Sequence, residues 1–342
     1  MSPQTKMRQE ILEVPAAVDR LLREGGEDIA KAAKAVRDLG PAFGITVARG
    51  SSDHVCTFFK YAAEIMAGLP VASVGPSIAS LYKAPLKLSG SICIGVSQSG
   101  KSPDIVEMTR SAGASGAMTI GISNNTNSDL ARVSHHTLDI HAGPELSVAA
   151  TKTFVTSATA VLLLLANWTD DRALLEALRG LPGRLEEAAG LDWPEVREAI
   201  GVHSSLFTLG RGQVLAISNE AALKFKETCQ LHAESYSSAE VLHGPVSIVG
   251  EGFPILCFAI EDAAEQALAA TADKVAAMGA KVFATSRLVS KANKLTSVRT
   301  GHPLTDALSL IVSFYCMVEA FATSRNIDPD APRHLNKVTE TV

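Results

Sequence analysis

The sequence has no surplus of basic charge and no C-x-x-C cysteine pair, and a membrane span is not expected from it. Lysine and arginine number 31 against 36 aspartates and glutamates, a net charge of -5, so nothing in the electrostatics asks for nucleic acid or an anionic membrane. The five cysteines, Cys56, Cys93, Cys229, Cys257 and Cys316, include no C-x-x-C pair and are odd in number. That usage fits a reducing compartment and excludes a disulfide framework or a zinc knuckle. Residues 1–20 are polar and charged, without the apolar run and small-residue cleavage site of a secretory signal. The most lipid-like stretch, Phe154 to Trp168, is broken by Thr156, Ser157, Thr159 and Asn167 and falls short of the roughly 20 residues that a bilayer requires. It reads as a buried helix, and the expected location is cytoplasmic.

What is present is a two-domain length of apolar chain: 342 residues, 46% hydrophobic, with a mean hydropathy of +0.17. Short β-rich runs alternate with helical ones. Ile45 to Ala48, Val71 to Val74, Ile92 to Val96, Met118 to Ile122 and His136 to Ile140 are expected strands, with helices at Val55 to Ala67, Pro103 to Ala114 and about Thr151 to Trp168. A charged, Ala/Leu-rich connector follows, with Gly180 to Gly183 and Trp193-Pro194 as breakers. The second half repeats the scheme: strands at Leu206 to Leu209, Pro254 to Ile260, Lys281 to Thr285 and Leu295 to Arg299, helices at Val214 to Gln230, Ala263 to Met278 and Thr305 to Ser324. Strands separated by helices imply right-handed crossovers. The expected fold is α/β, two tandem domains, each a parallel β-sheet sandwiched by helices in three αβα layers.

The densest chemical signal is Ser97-Gln98-Ser99-Gly100-Lys101-Ser102-Pro103-Asp104, between an apolar strand and a helix. Ser102 suits the N-cap, Pro103 the first helical position, and Asp104 complements the dipole. Hydroxyls and free N–H groups converging on a helix start, at a strand C-end, make an anion site. Gly95 to Ser102 also fits G-x-x-x-x-G-K-[ST]. Against a P-loop, Pro103 delays the helix until after Ser102, Gly95 falls inside the strand, and the strand Met118 to Ile122 runs into Ser123-Asn124-Asn125 without a Walker B aspartate. Further hydroxyl clusters, Arg49-Gly50-Ser51-Ser52-Asp53 and Glu145 to Lys152, repeat the strand-end or helix-start setting. A phosphorylated or polyhydroxylated ligand is the common implication.

In the second half, Glu220, Lys224 and Glu227 stand at i, i+4 and i+7 on one helical stripe. The stripe is either an exposed set of salt bridges or a general base held beside a lysine. Beyond it, Leu231 to Pro245 reads as a polar loop carrying His232, Glu234, Glu240 and His243. His232 and His243 lack metal-ligand spacing and His135-His136 are adjacent in a β-like run, so no metal is expected.

These motifs, with Gly210-Arg211-Gly212 and Pro332-Arg333-His334-Leu335-Asn336-Lys337, resemble the sugar isomerase (SIS) domain family. The closest likeness is to the isomerase half of glucosamine-6-phosphate synthase and to stand-alone, alternative-type glucosamine-6-phosphate deaminases. The resemblance implies two tandem SIS domains: a helical lead over 1–30, domains at 31–170 and 196–325, a connector at 171–195 and a tail at 326–342 that closes over the sugar. It places Gly50, Ser51, Ser52, Ser97, Gln98, Ser99 and Ser102 at the phosphate and sugar hydroxyls, with Val148 giving backbone contacts and Arg333 beside the ligand. By the same resemblance Glu227 is the base between C1 and C2, with Glu220 and Lys224 next to it. His243 opens the sugar ring from a neighbouring subunit, implying a homodimer, and Lys337 is a Schiff-base lysine.

No cofactor is implied. Arg49, Ala150 and Lys101 to Asp104 depart from the synthase pattern, the last toward the deaminases, and no glutaminase domain is recognised ahead of these motifs. The expected activity converts a hexosamine 6-phosphate, glucosamine 6-phosphate first, into a ketose 6-phosphate and ammonia. The alternatives are an aldose–ketose isomerase without deamination and a non-catalytic sugar-phosphate sensor. No basic helix-turn-helix segment precedes Ile45 to favour a regulator.

Overall fold

A computed structural model describes residues 4–337; residues 1–3 of the expected lead and 338–342 of the expected tail lie outside them. The chain begins with helices α1 (Lys6–Leu12), α2 (Val14–Arg20) and, after a π-helical turn, α3 (Gly26–Leu39). It divides into two compact units that exchange segments. The first comprises 13–145, 152–182 and, from the end of the chain, the described residues 335–337; the second comprises 4–12, 146–151 and 183–334.

In the first unit the strands β1 (Gly44–Val47), β2 (Val71–Ser73), β3 (Ile92–Val96), β4 (Met118–Ser123) and β5 (His136–Asp139) form one sheet in the order β2-β1-β3-β4-β5, with every pairing parallel. Helices α4 (Ser51–Met66), α5 (Ser77–Ser80), α6 (Pro103–Ala114), α7 (Asp129–Val133) and α8 (Lys152–Thr169) connect and flank it, and α9 (Arg172–Ala188) runs from this unit into the second. β3 reads as an unbroken apolar run, and β1 as one interrupted only by Thr46, because both faces of a parallel sheet are covered, and all their residues are buried. The chain leaves β1 toward one edge and returns at β3 toward the other. The C-ends of these two strands therefore form the switch point where open α/β sheets place ligands.

The second unit repeats the plan. Strands β6 (Ser205–Gly210), β7 (His232–Ser237), β8 (Pro254–Cys257), β9 (Lys281–Ala284) and β10 (Asn293–Lys294) take the order β10-β9-β8-β6-β7, again all parallel. Its helices are α10 (Pro194–Ile200), α11 (Leu215–Cys229), α12 (Glu265–Ala276) and α13 (Pro303–Ser324). Phe225 of α11 and Phe258 beyond β8 both meet Phe314 of α13 edge-on, at ring separations of 5.3 and 5.8 Å. These contacts pack α11 and α13 against each other in the core of this unit.

Four expectations need correction. The polar stretch after α11 is not all loop: His232–Ser237 is an edge strand, paired on one side to β6, with most of its side chains half-buried. Leu295 to Arg299 is not a strand. The ladder beside β9 ends at Lys294, and the next backbone oxygens are taken by side chains, Thr296 by the Trp193 indole N–H and Val298 by the Ser309 hydroxyl. The breaker Gly180 to Gly183 lies inside α9, where buried Leu174, Leu178, Leu181 and Leu185 outweigh the local cost of Pro182. The most lipid-like segment is also not Phe154 to Trp168. Pro303–Ser324 is long and apolar enough to cross a membrane, but 83% of its apolar window is buried within the second unit. Its Tyr315 and Glu319 find polar partners there, as expected of a core helix.

Candidate functional site

The loop Ser97 to Ser102 leaves β3 at the switch point and enters α6 at Pro103. It is pinned from β4: Ser97 donates its N–H to Ile122, and the Gln98 carbonyl accepts from the Asn124 N–H at 3.0 Å and the Ser123 hydroxyl at 3.2 Å. Gly100 has φ +63°, and a Cβ there would lie 2.1 Å from the Ser128 hydroxyl oxygen, so only glycine fits the turn. Its N–H returns to the Ser97 carbonyl and hydroxyl. Ser102 occupies the N-cap position, but its hydroxyl does not cap the helix as expected. It lies 3.4 Å from the Ser97 hydroxyl instead, turned toward the loop.

A small cavity of about 110 Å³ opens here, lined by Ser52, Ser97, Gln98, Ser99 and Ser102, with Arg49 and Lys337 at its cationic side. Arg49 is held by two hydrogen bonds, of 3.0 and 2.9 Å, to the buried Asp104 carboxylate. Lys337 reaches the same cavity while paired at 2.8 Å with Glu145. The cavity lies below the roughly 300 Å³ at which ordinary small-molecule pockets begin, the scale of an anionic headgroup. Ser51 opens α4 nearby without entering the lining, and the same holds for Gly50. Val148 and Arg333 belong to the second unit, the former half-buried and the latter exposed.

Glu145 is a site residue that the sequence motif contained without a role. Its carboxylate is buried and accepts from the Thr153 N–H at 3.0 Å and the Thr153 hydroxyl at 2.7 Å as well as from Lys337. Burial alone would push the Glu145 carboxyl up; the Lys337 ammonium and the Thr153 hydrogen bonds outweigh it and hold the group below its ordinary value. A depressed carboxylate contributes stability above its unfolded pKa, about 4.3, and loses that contribution as pH falls through the folded value. Glu145→Gln is therefore expected to lower stability at pH 7 by about 1–3 kcal/mol. In thermal melts the difference from wild type should shrink toward zero below about pH 4.

In the second unit, Glu220, Lys224 and Glu227 form one contiguous cluster on α11. Lys224 is fully buried, 3.2 Å from Glu220 and hydrogen-bonded to Glu227. The stripe is thus not an exposed set of salt bridges. Burial opposes the charge on Lys224, but the two carboxylates overcome it and raise its pKa above the ordinary lysine value. Tyr315 of α13 donates its hydroxyl to Glu220 at 3.1 Å, a partner that a tyrosine within a long apolar helix should have signalled. Of the three charged residues, only Glu227 retains side-chain exposure, at 21%. The arrangement can present one carboxylate outward with its back oxygen locked on a permanent cation. His243 is exposed and ends a 3-10 turn, Glu240–His243, just before Gly244 at φ +142°. Burial pushes the thiols of Cys93 and Cys229 up to about 12 and Cys316 up to about 11, which leaves them inert as nucleophiles at neutral pH.

A profile of the SIS domain matches residues 45–167 and again 200–321. Glutamine–fructose-6-phosphate aminotransferase (isomerizing) of Aquifex aeolicus is 30% identical over 302 residues, covering 86% of this chain and 51% of that protein. The chain spans about half the length of the curated relatives it matches. Among solved structures, a candidate phosphosugar isomerase from Silicibacter pomeroyi DSS-3 is 65% identical with a TM-score of 0.93, covering 96% of this chain and 100% of that one. Glucosamine-6-phosphate deaminase of Thermotoga maritima shares the fold, with a TM-score of 0.80 at 21% identity over 98% of this chain and 100% of that one. Two parallel five-stranded sheets, each under its own match to one profile, establish that the chain belongs to the SIS domain family.

Proposed function

We propose that the protein is a phosphosugar isomerase that deaminates a hexosamine 6-phosphate, glucosamine 6-phosphate in the first instance. The single observation that carries this reading is the Glu220–Lys224–Glu227 cluster, a partly exposed carboxylate backed by a buried ammonium. A sensor that only binds has no need of it. The serine loop and the α6 start take the 6-phosphate through hydroxyls and backbone N–H groups, with Arg49 and Lys337, each paired with a carboxylate, beside it. His243 assists ring opening, contributed by a second copy in a homodimer.

Glu227 takes the proton from C2 of the open-chain aldose and returns it to C1. The C2 enolamine becomes an imine, water adds at C2, and the C–N bond breaks to release ammonia and leave the ketose. Water is consumed and no oxidant is required, so the step balances without a cofactor. The Lys337 ammonium, paired with Glu145, first has to shed a proton before it could form a Schiff base with the ketose.

The test is a coupled ammonia assay on purified protein with glucosamine, galactosamine and N-acetylglucosamine 6-phosphates. Stoichiometric ammonia and ketose from a free hexosamine 6-phosphate are the expected result. Interconversion of nitrogen-free aldose and ketose phosphates at comparable rates, without ammonia, would replace deamination by simple isomerisation. Binding with no turnover of any substrate would return the protein to the sensor class.

A further inference from the structure

A second and larger cavity, of about 450 Å³, lies in the first unit and includes none of the residues that line the serine pocket. It is walled by Ser80, by Lys101 and Pro103 of the loop-to-helix junction, and by charged side chains on α6, α7 and the turn after α5. Its carboxylates are already matched: Asp104 by Arg49, Glu107 by Arg110 and Asp129 by Arg132. Lys83 and Lys101 complete the charged lining, and among the described residues neither ammonium has a carboxylate or carbonyl partner.

The wall therefore holds a surplus of donors. Two exposed ammonium groups without a carboxylate partner, beside carboxylates that are each paired with an arginine, favour a ligand rich in acceptors and negative in charge. The first turn of α6 adds its N-terminal dipole on the same side, through Pro103. The volume falls within the range of about 300–1,000 Å³ that small organic ligands occupy, larger than a bare ion needs.

We propose that this cavity is a second anion site, which takes a small phosphorylated metabolite through Lys83 and Lys101. It stands whether or not the chain deaminates hexosamines.

Equilibrium dialysis with radiolabelled inorganic phosphate tests it, in a buffer free of other multivalent anions. The wild type should bind two phosphates per chain. Lys83→Gln/Lys101→Gln and Ser97→Ala/Ser102→Ala should each retain one, and the combined variant none. Glycerol 3-phosphate should displace label from the Ser97→Ala/Ser102→Ala protein at least tenfold better than unlabelled phosphate. One phosphate per chain in the wild type, or two still bound by the lysine variant, overturns the proposal. A single phosphate lost from both variants does so too, since the lysines would then act only on the serine pocket. Displacement by glycerol 3-phosphate no better than by phosphate overturns the assignment to a metabolite.

Discussion

Glu227→Gln is expected to lower kcat by roughly 10²–10⁴-fold, the range contributed by a positioned general base, with little change in KM for the sugar phosphate. The amide is isosteric and keeps an oxygen for Lys224, so the cluster on α11 retains its shape. It cannot accept the C2 proton. KM should hold because, on the proposed reading, the phosphate is gripped by the hydroxyls of the loop from Ser97 to Ser102, which the substitution leaves unchanged. Lower kcat at near-constant KM is the signature of an interaction made in the transition state alone. Steady-state kinetics over a range of hexosamine 6-phosphate concentrations measure it. A variant with normal kcat would remove Glu227 from the chemistry.

Lys224→Met should have the largest effect on stability, a loss of about 3–5 kcal/mol, the cost of removing one partner from a buried ion pair. The thioether fills the space of the lysine stem, so packing is not the main term. The cost comes from Glu220, fully buried and deprived of the Lys224 ammonium, beside a second carboxylate on the same face. Glu220→Gln/Lys224→Met should recover much of the loss, because it deletes both buried charges together. Urea unfolding of the two variants and the wild type separates the cases. A single variant as stable as the wild type would show that the cluster is not held by its charge balance.

The elements that position the phosphate loop were legible because local and long-range signals agree. The apolar run Ile92 to Val96 and the Pro103 start of α6 predict β3 and the helix with the bounds observed. The stripe on α11 was legible as spacing, but not its burial. That burial depends on α13, about 90 residues on, which packs on α11 through the Tyr315–Glu220 hydrogen bond and the Phe314–Phe225 ring contact. Glu145 and Lys337 are 192 residues apart, and no local pattern pairs them. β7 escaped notice because an edge strand bordered by one neighbour has no need of an apolar face on each side. The Gly180 to Gly183 breaker misled in an instructive way: the helix runs through it, while the division of the chain between its two units falls at Pro182–Gly183.

The central claim is that Glu227 moves the C2 proton of a bound hexosamine 6-phosphate. It is tested most directly with [2-²H]glucosamine 6-phosphate, following the deuterium by NMR in the wild type and in Glu227→Gln. The account predicts that deuterium leaves C2 at the turnover rate in the wild type, appearing at C1 of the ketose and in water, and that it stays on C2 in the variant. Deuterium that leaves C2 equally fast in both proteins, or that the wild type leaves in place, would contradict it.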